Sequence, residues 1–166
     1  MENWKSIEGY DFYEVSDNGN VRNAKTGRIL KATVDGCGYY KVRLCINSKA
    51  TTKRIHRLVA DAFIDNPENK TCVDHIDNIR KNNHVSNLRF ATNKENSQNR
   101  KISKRNTSGI KGISYYKGSK KWQAYINIDG IRIYLGYFDN IEDAKQARIQ
   151  RANQAFGIYT NACEKI

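Results

Sequence analysis

Long apolar runs are missing from this chain of 166 residues. No stretch approaches the roughly 20 apolar residues that a membrane-spanning helix needs. No basic amphipathic helix with a strong apolar face stands out. The N-terminal stretch MENWKSIEGYDF has no apolar segment of the kind that directs secretion. A cytoplasmic location is therefore expected, with no membrane partner. The four cysteines, Cys37, Cys45, Cys72 and Cys163, form no C-x-x-C pair and no Cys/His spacing that fits zinc. No zinc is expected, and scattered reduced thiols are. Acidic residues are scarce, 17 against 29 Lys and Arg, which leaves a net charge of +12 and a pI near 9.6. So basic a balance points to a polyanionic partner, through release of counterions from phosphates. Hydrophobic residues make up 39% and mean hydropathy is −0.78. That supports one ordinary domain or two to three small ones with modest cores.

The positive charge is uneven. Residues 51–105 carry 12 basic against 6 acidic groups, whereas residues 1–50 carry 8 against 6. The densest stretch, Lys94 to Lys121, has nine basic groups and one acidic, Glu95. Its middle, NRKISKRNTSG, is polar and Ser/Asn-rich and reads as a linker. It joins two other candidate DNA-binding pieces, so Lys101, Lys104 and Arg105 are expected to track a nucleic-acid backbone.

The first fifty residues look β-rich. GYDFYEVSDNGNVRN is broken by the turn signal Asp17-Asn18-Gly19-Asn20, and AKTG is a second turn. Tyr40, Val42, Leu44 and Ile46 alternate with Lys41, Arg43 and Cys45, a strand with one apolar face. A short helix over His56 to Ile64 places Leu58, Val59, Ala62 and Phe63 on one side, and Pro67, the only proline, closes it off. TCVDHID and LRFA read as strands around the loop IRKNNHVSN. A polar helix follows in TNKENSQNRK, with Thr92 as N-cap. Three strand-like runs come next, two joined by a turn at Asp129-Gly130. The last helix, IEDAKQARIQRANQAFG, is capped by Asn140, begins with Glu142 and Asp143, and ends at Gly157.

Chemistry gathers in VDHIDNIRKNNHVSNLRFATNKEN, Val73 to Asn96. Asp74 and His75 stand side by side, and a strand–loop–strand–helix can bring Asp74 and Asn96 together at the junction of hairpin and helix. Neighbours on a strand face opposite ways, so an irregular strand end is needed for Asp74 and His75 to serve one site. Asp77 is an alternative carboxylate. Asn82 and Asn83 read as turn-formers, and His56 and His84 as non-catalytic.

This segment resembles the HNH endonuclease family in its phage and intron-encoded branch. The resemblance rests on Asp74-His75, Asn87 in the SNL turn, Asn96, and the flanking runs HRLVADAF, NPENKTCVDHID and NLRFAT, roughly residues 55–98. It implies that His75 is the general base, that Asp74 and Asn96 hold one Mg²⁺ or Mn²⁺, and that Asn87 pins the loop which orients His75. It implies double-stranded DNA as substrate and a phage- or intron-encoded enzyme. One site per chain suits nicking by a monomer, and a dimer would cut both strands. The C-x-x-C pairs of other branches are absent, so packing must hold this core together.

Residues 1–50 are similar to the NUMOD4-like module that precedes such cores, through Trp4, Ile7, Gly9, Tyr10, Tyr13, Val15, Ser16, Gly19, Val21 and Arg22. This module is either a structural cap or a DNA-contacting sheet that uses Arg22, Arg28, Lys41 and Arg43. Residues 109–157 resemble an AP2/ERF-type DNA-binding domain, through GIKGIS, KWQAYI, IRIYLGYF and the last helix. In that fold a three-stranded sheet enters the major groove. Alternation turns Trp122, Ala124, Ile126, Ile133 and Leu135 inward. It turns Gln123, Tyr125, Asn127, Arg132 and Tyr134 outward, with Lys111, Ser114 and Tyr116. Lys121 and Arg89 complete the expected DNA contacts.

The expected fold is α+β, in four parts: a β-rich module (1–50), a ββα-metal nuclease core (51–100), a basic linker (101–108) and an AP2/ERF-like sheet on one helix (109–160). The expected activity is metal-dependent DNA cleavage at a defined site. The alternative is a non-enzymatic DNA-binding regulator with a relic core, and plasmid incubated with metal, with and without chelator, separates the two.

Overall fold

The structure, a computed structural model, describes residues 1–164. It is a mixed α+β chain that divides into two compact units, 1–96 and 97–166. Among the described residues, no helix is long and apolar enough to cross a membrane.

The first unit contains three small antiparallel sheets. Strands β1 (Trp4–Ile7), β2 (Tyr10–Ser16) and β3 (Val21–Asn23) form one, in that order. The turn expected at residues 17–20 separates β2 from β3. Strands β4 (Thr33–Val34), β5 (Tyr40–Ile46) and β6 (Lys49–Arg54) form the second. β5 alternates as its sequence requires, with Val42 and Leu44 buried and Arg43 and Cys45 exposed. β6 was not foreseen. KATTKR has no apolar alternation because most of its side chains face water, and backbone pairing to β5 holds it. Its one local signal is the tight turn Asn47-Ser48, where both residues have positive φ (48° and 60°), as two-residue hairpin loops require.

Helix α1 (Ile55–Phe63) follows β6 directly. It buries Ile55, Leu58, Val59 and Ala60 against Ile7, Val15 and Val21 of the first sheet and Val42 and Leu44 of the second. Val73 and Leu88 belong to the same cluster. They come from the third sheet, the hairpin β7 (Cys72–His75) and β8 (Leu88–Ala91). One core thus serves the first fifty residues and the segment that follows. Small sheets of this size bury too little apolar surface to be stable singly, and a buried Leu or Val contributes roughly 1.5–3 kcal/mol. Helix α2 (Asn93–Gln98) closes the hairpin. Thr92 Oγ1 accepts from the Glu95 amide at 3.2 Å, and Glu95 accepts from the Thr92 amide at 2.7 Å. This reciprocal capping box satisfies two amides at the helix start.

In the second unit, β9 (Ile113–Tyr116), β10 (Lys121–Ile128) and β11 (Ile131–Phe138) form an antiparallel sheet in the order β11-β10-β9. Asp129 and Gly130, both at positive φ, make the expected turn. Helix α3 (Ile141–Phe156) packs Ala144, Ala152 and Phe156 on the sheet. The Asn140 side chain accepts from the Glu142 amide at 2.7 Å. Trp122, Ala124, Ile126, Ile133 and Leu135 lie in or against the core, as alternation requires.

Two features of this unit escaped sequence reasoning. Arg148 of α3 is buried, and its Nη2 lies 2.8 Å from the buried carboxylate of Glu164. Gly112 must be glycine here: its φ is +71°, and a Cβ would strike the Tyr125 carbonyl and the Arg148 side chain. The second feature is a shift in register between Ala124 and Tyr125, which leaves Leu135 without a partner on β10. This bulge carries Tyr137 to the face that holds Gln123, whose amide donates to the Tyr137 hydroxyl at 2.7 Å.

Candidate active site

β7 carries Asp74 and His75, both buried at 4–5% exposure. Alternation sends them to opposite faces of the strand. Asp74 faces Arg89, its cross-strand partner on β8. Arg89 Nη2 and Nε donate to Asp74 Oδ2 at 2.6 and 2.9 Å. His75, the last residue of the strand, packs edge-on against His56 (ring centroids 5.1 Å apart) and beside Tyr39 (5.8 Å). Its Nε2 donates to Asn83 Oδ1 at 3.2 Å. Asn96 sits in α2, one turn after the Thr92 cap, and its amide donates to the Thr92 carbonyl at 3.0 Å.

Asn87 organises the loop between the strands. Its side-chain amide donates to Asp77 Oδ1 and the Asn82 carbonyl, both at 2.9 Å. Its Oδ1 accepts from the Asp77 amide, and its carbonyl accepts from the Ile76 amide. Asp77 also accepts from the Ile79 amide and the Asn82 side chain, so its carboxylate is committed to the loop. His84 caps the turn Val85–Asn87 by accepting from the Ser86 amide.

Asn83 is more than the turn-former its sequence suggests. It is buried, and its side chain meets His75. The first sheet sets its position, because Gly19 (φ +83°) lies so close that a Cβ there would come within 2.7 Å of Asn83 Cβ. The Val85 amide donates to the Asp17 carbonyl at 2.8 Å, which ties the same turn to the same loop. Gly19→Ala is therefore expected to displace Asn83 and disturb His75, lowering any nicking rate by roughly tenfold at little cost in DNA affinity. Single-turnover nicking beside a binding titration checks this, and an unchanged rate would detach Asn83 from the chemistry.

His56 was also underread. It is 5% exposed, its buried Nδ1 has no hydrogen-bond partner, and burial pushes its pKa down to about 3. It stays neutral, so it adds no charge beside His75. Burial likewise holds His75 below the ordinary histidine value, partly offset by the bond to Asn83 and the charges of Asp77 and Asp74. Tyr39 completes this aromatic seat, its ring tilted 41° against His56 with centroids 4.8 Å apart. No local pattern marks these contacts, because His75, His56 and Tyr39 come from three separate elements.

The other expected DNA contacts divide in two. Arg43, Lys101, Lys104, Arg105, Asn127, Arg132, Tyr116 and Tyr134 are exposed. Arg132 lies over the Tyr125 ring at 4.4 Å. Others are engaged within the protein. Arg22 pairs with Glu14 at 2.7 Å and stacks on Trp4. Arg89 is held by Asp74. Lys111 donates to the Gln98 carbonyl at 2.6 Å and lies 3.5 Å from Glu164. Lys121 pairs with Asp139 at 3.1 Å.

Asp74 and Asn96 offer a carboxylate and an amide oxygen, hard donors that suit Mg²⁺ or Mn²⁺. Asp74 already accepts from one cationic group, the Arg89 guanidinium. This donor set fits a divalent ion. No group of three or more His, Cys, Asp or Glu side chains converges among the described residues.

The NUMOD4 motif matches residues 2–45 and the HNH endonuclease family matches residues 53–98. DNA endonuclease I-HmuI of Bacillus phage SP01 is 40% identical over 97 residues, which cover 58% of this chain and 56% of that protein. The uncharacterized HNH endonuclease L245 of Acanthamoeba polyphaga mimivirus is 38% identical over 141 residues, 85% of this chain and 39% of that protein. The chain thus spans less than two thirds of either relative. The solved structure of the HNH homing endonuclease I-HmuI, concerned with DNA binding and cleavage, matches with a TM-score of 0.56 at 29% identity, covering 94% of this chain and 92% of that one. By these matches and by its fold, this chain carries an HNH endonuclease core at residues 53–98 behind a NUMOD4 motif at residues 2–45.

Proposed function

We propose that the chain is a metal-dependent DNA endonuclease of the homing type, with His75 as general base. The observation that carries this reading is the hydrogen bond from His75 to Asn83. A carbonyl oxygen only accepts, so Nε2 carries the proton and Nδ1 is the basic nitrogen. A base fixed in one tautomer, buried and neutral, is ready to take a proton from water at the scissile phosphate. A positioned base of this kind contributes about 10²–10⁴ in rate. Asn87 holds the loop through Asp77 and Asn82, and Asn83 holds the ring. Asp74 and Asn96 would hold the divalent cation, which when bound supplies charge stabilisation at the phosphate and the leaving 3′ oxygen. Incubating supercoiled plasmid with the protein and Mg²⁺ or Mn²⁺, with and without EDTA, tests this. Chelator-sensitive nicking is expected, and absence of cleavage with either metal would favour a DNA-binding regulator with a relic core.

The second unit reads as an AP2/ERF-like DNA-binding module that supplies site selectivity, with double-stranded DNA as the partner and a monomer as the working unit. Support comes from the free face of its sheet. Tyr116, Asn127, Arg132 and Tyr134 are exposed there, and Tyr137 joins them through the bulge. The nuclease core attacks a phosphate, which every sequence shares, so selectivity must come from elsewhere. Arg132→Ala is expected to weaken binding to the cognate site by about 1–3 kcal/mol while sparing nonspecific binding, if it reads a base. A chain ending near Arg105 is expected to nick more weakly and more randomly. Cleavage by it of the same site with the same preference would put selectivity in residues 1–105.

A further inference from the structure

The loop before β5 builds a structure that the nuclease reading leaves unused. Asp35 Oδ1 accepts from the amides of Cys37 and Tyr39 at 2.8 and 3.0 Å, which fixes the loop. Tyr39 is thereby held against His56 and His75. Two guanidinium groups lie over the same tyrosine ring, Arg54 at 4.8 Å and Arg80 at 5.1 Å from its centroid. Among the described residues each is anchored by one hydrogen bond. Arg54 Nε donates to Asp35 Oδ2 at 2.7 Å, and Arg80 Nη1 donates to the Cys37 carbonyl at 2.6 Å. A guanidinium carries five N–H donors in a planar fork, so most donors of both groups remain for another partner. Both residues are exposed.

Two like charges on one ring repel each other. Asp35 is the only carboxylate that pairs with either of them among the described residues. The arrangement therefore calls for an anion with several acceptor oxygens, beside the ring that His75 touches. In a DNA substrate that anion is a backbone phosphate, which arginine forks match in geometry. We propose that Arg54 and Arg80, seated on Tyr39, form a fork that holds a DNA backbone phosphate beside His75. The proposal rests on the endonuclease reading for its substrate.

The test uses the full chain with Arg54→Gln and Arg80→Gln together. Binding of a mixed-sequence duplex, measured in EDTA so that no cleavage intervenes, gives the slope of log affinity against log salt. That slope is expected to fall by about 2, roughly 1 for each phosphate-contacting side chain lost. Single-turnover nicking of plasmid at saturating protein with Mg²⁺ or Mn²⁺ is expected to fall at least about tenfold, because a misplaced phosphate impairs the bound complex itself. Arg54→Lys with Arg80→Lys should restore the slope, since the charge returns, but not the full rate, since the fork does not. A slope equal to that of the wild type would overturn the proposal. So would a reduced slope with an unchanged saturated rate, which would put the arginines on DNA away from the reacting phosphate. If the wild type nicks nothing while the slope still falls in the variant, the endonuclease reading fails and the phosphate fork stands. Thermal unfolding verifies the fold, and if the double variant does not fold, Arg80→Gln alone, with an expected slope change of about 1, decides the question.

Discussion

Asp74→Asn is expected to reduce plasmid nicking to background, and His75→Ala to reduce it by about 10²–10⁴-fold, with DNA affinity nearly unchanged in both. The choice of asparagine matters. Arg89 is 13% exposed at its side chain and donates twice to Asp74. Asp74→Ala would strip both of these bonds from a largely buried guanidinium, at a cost of up to about 3–5 kcal/mol. Against a total stability of about 5–15 kcal/mol, lost activity could then be mistaken for lost fold. Asparagine keeps the volume and one oxygen for Arg89 while removing the charge that would hold a cation. Nicking assays beside thermal unfolding make the comparison, and full activity in excess EDTA would sink the metal reading. The pH profile has a definite sign. Burial lowers the His75 pKa below 6.5, so the neutral base is present at pH 7. As the pH falls through that lowered value the ring takes a proton and the rate declines. The acid limb of the profile is expected below pH 6.5, and a rate that rises on acidification would exclude His75 as base.

DNA affinity is expected to fall about 10³-fold between 50 and 200 mM salt. Counterion release gives this magnitude for about six phosphates and 10⁵ for about ten. The net charge of +12 alone would allow the larger figure. The structure argues for the smaller one, because Arg22, Arg89, Lys111 and Lys121 are paired with Glu14, Asp74, Glu164 and Asp139. Arg43, Lys101, Lys104, Arg105 and Arg132 are exposed and form no ion pair among the described residues. With Arg54 and Arg80 they account for a figure near the lower bound. Equilibrium binding of a duplex across a salt series measures the slope, and a flat response would mean that these side chains do not face DNA.

The sequence shows plainly what local chemistry controls. The Asp17–Asn20 and Asp129-Gly130 turns are set by residues that tolerate positive φ. The Asn140 cap, the alternation of β5 and the inward face of β10 follow from short-range periodicity, and each is present in the structure. The string Asp74-His75, Asn87 and Asn96 is legible because it is compact along the chain. β6 was missed because an exposed strand carries no apolar pattern, and the β11 bulge because one residue's change of register leaves no compositional trace.

By itself, then, the sequence determined the strong positive charge, the α+β class and the residues of the HNH string. Tertiary structure decided how those residues are supported. Asn83 meets His75 because Gly19, some sixty residues away along the chain, lies against it. His56 and Tyr39 form a seat for the same ring only once α1 and the loop before β5 pack beside β7. Arg89 is an expected DNA contact by its sequence, yet strand pairing spends it on Asp74. Arg54 and Arg80 stand far apart in the sequence, and only the fold brings both onto one tyrosine. Turns, caps and alternation depend on neighbours within a few residues, so sequence encodes them directly. Pairings between distant elements depend on which surfaces the shared core brings together, and that is fixed only when the whole unit folds.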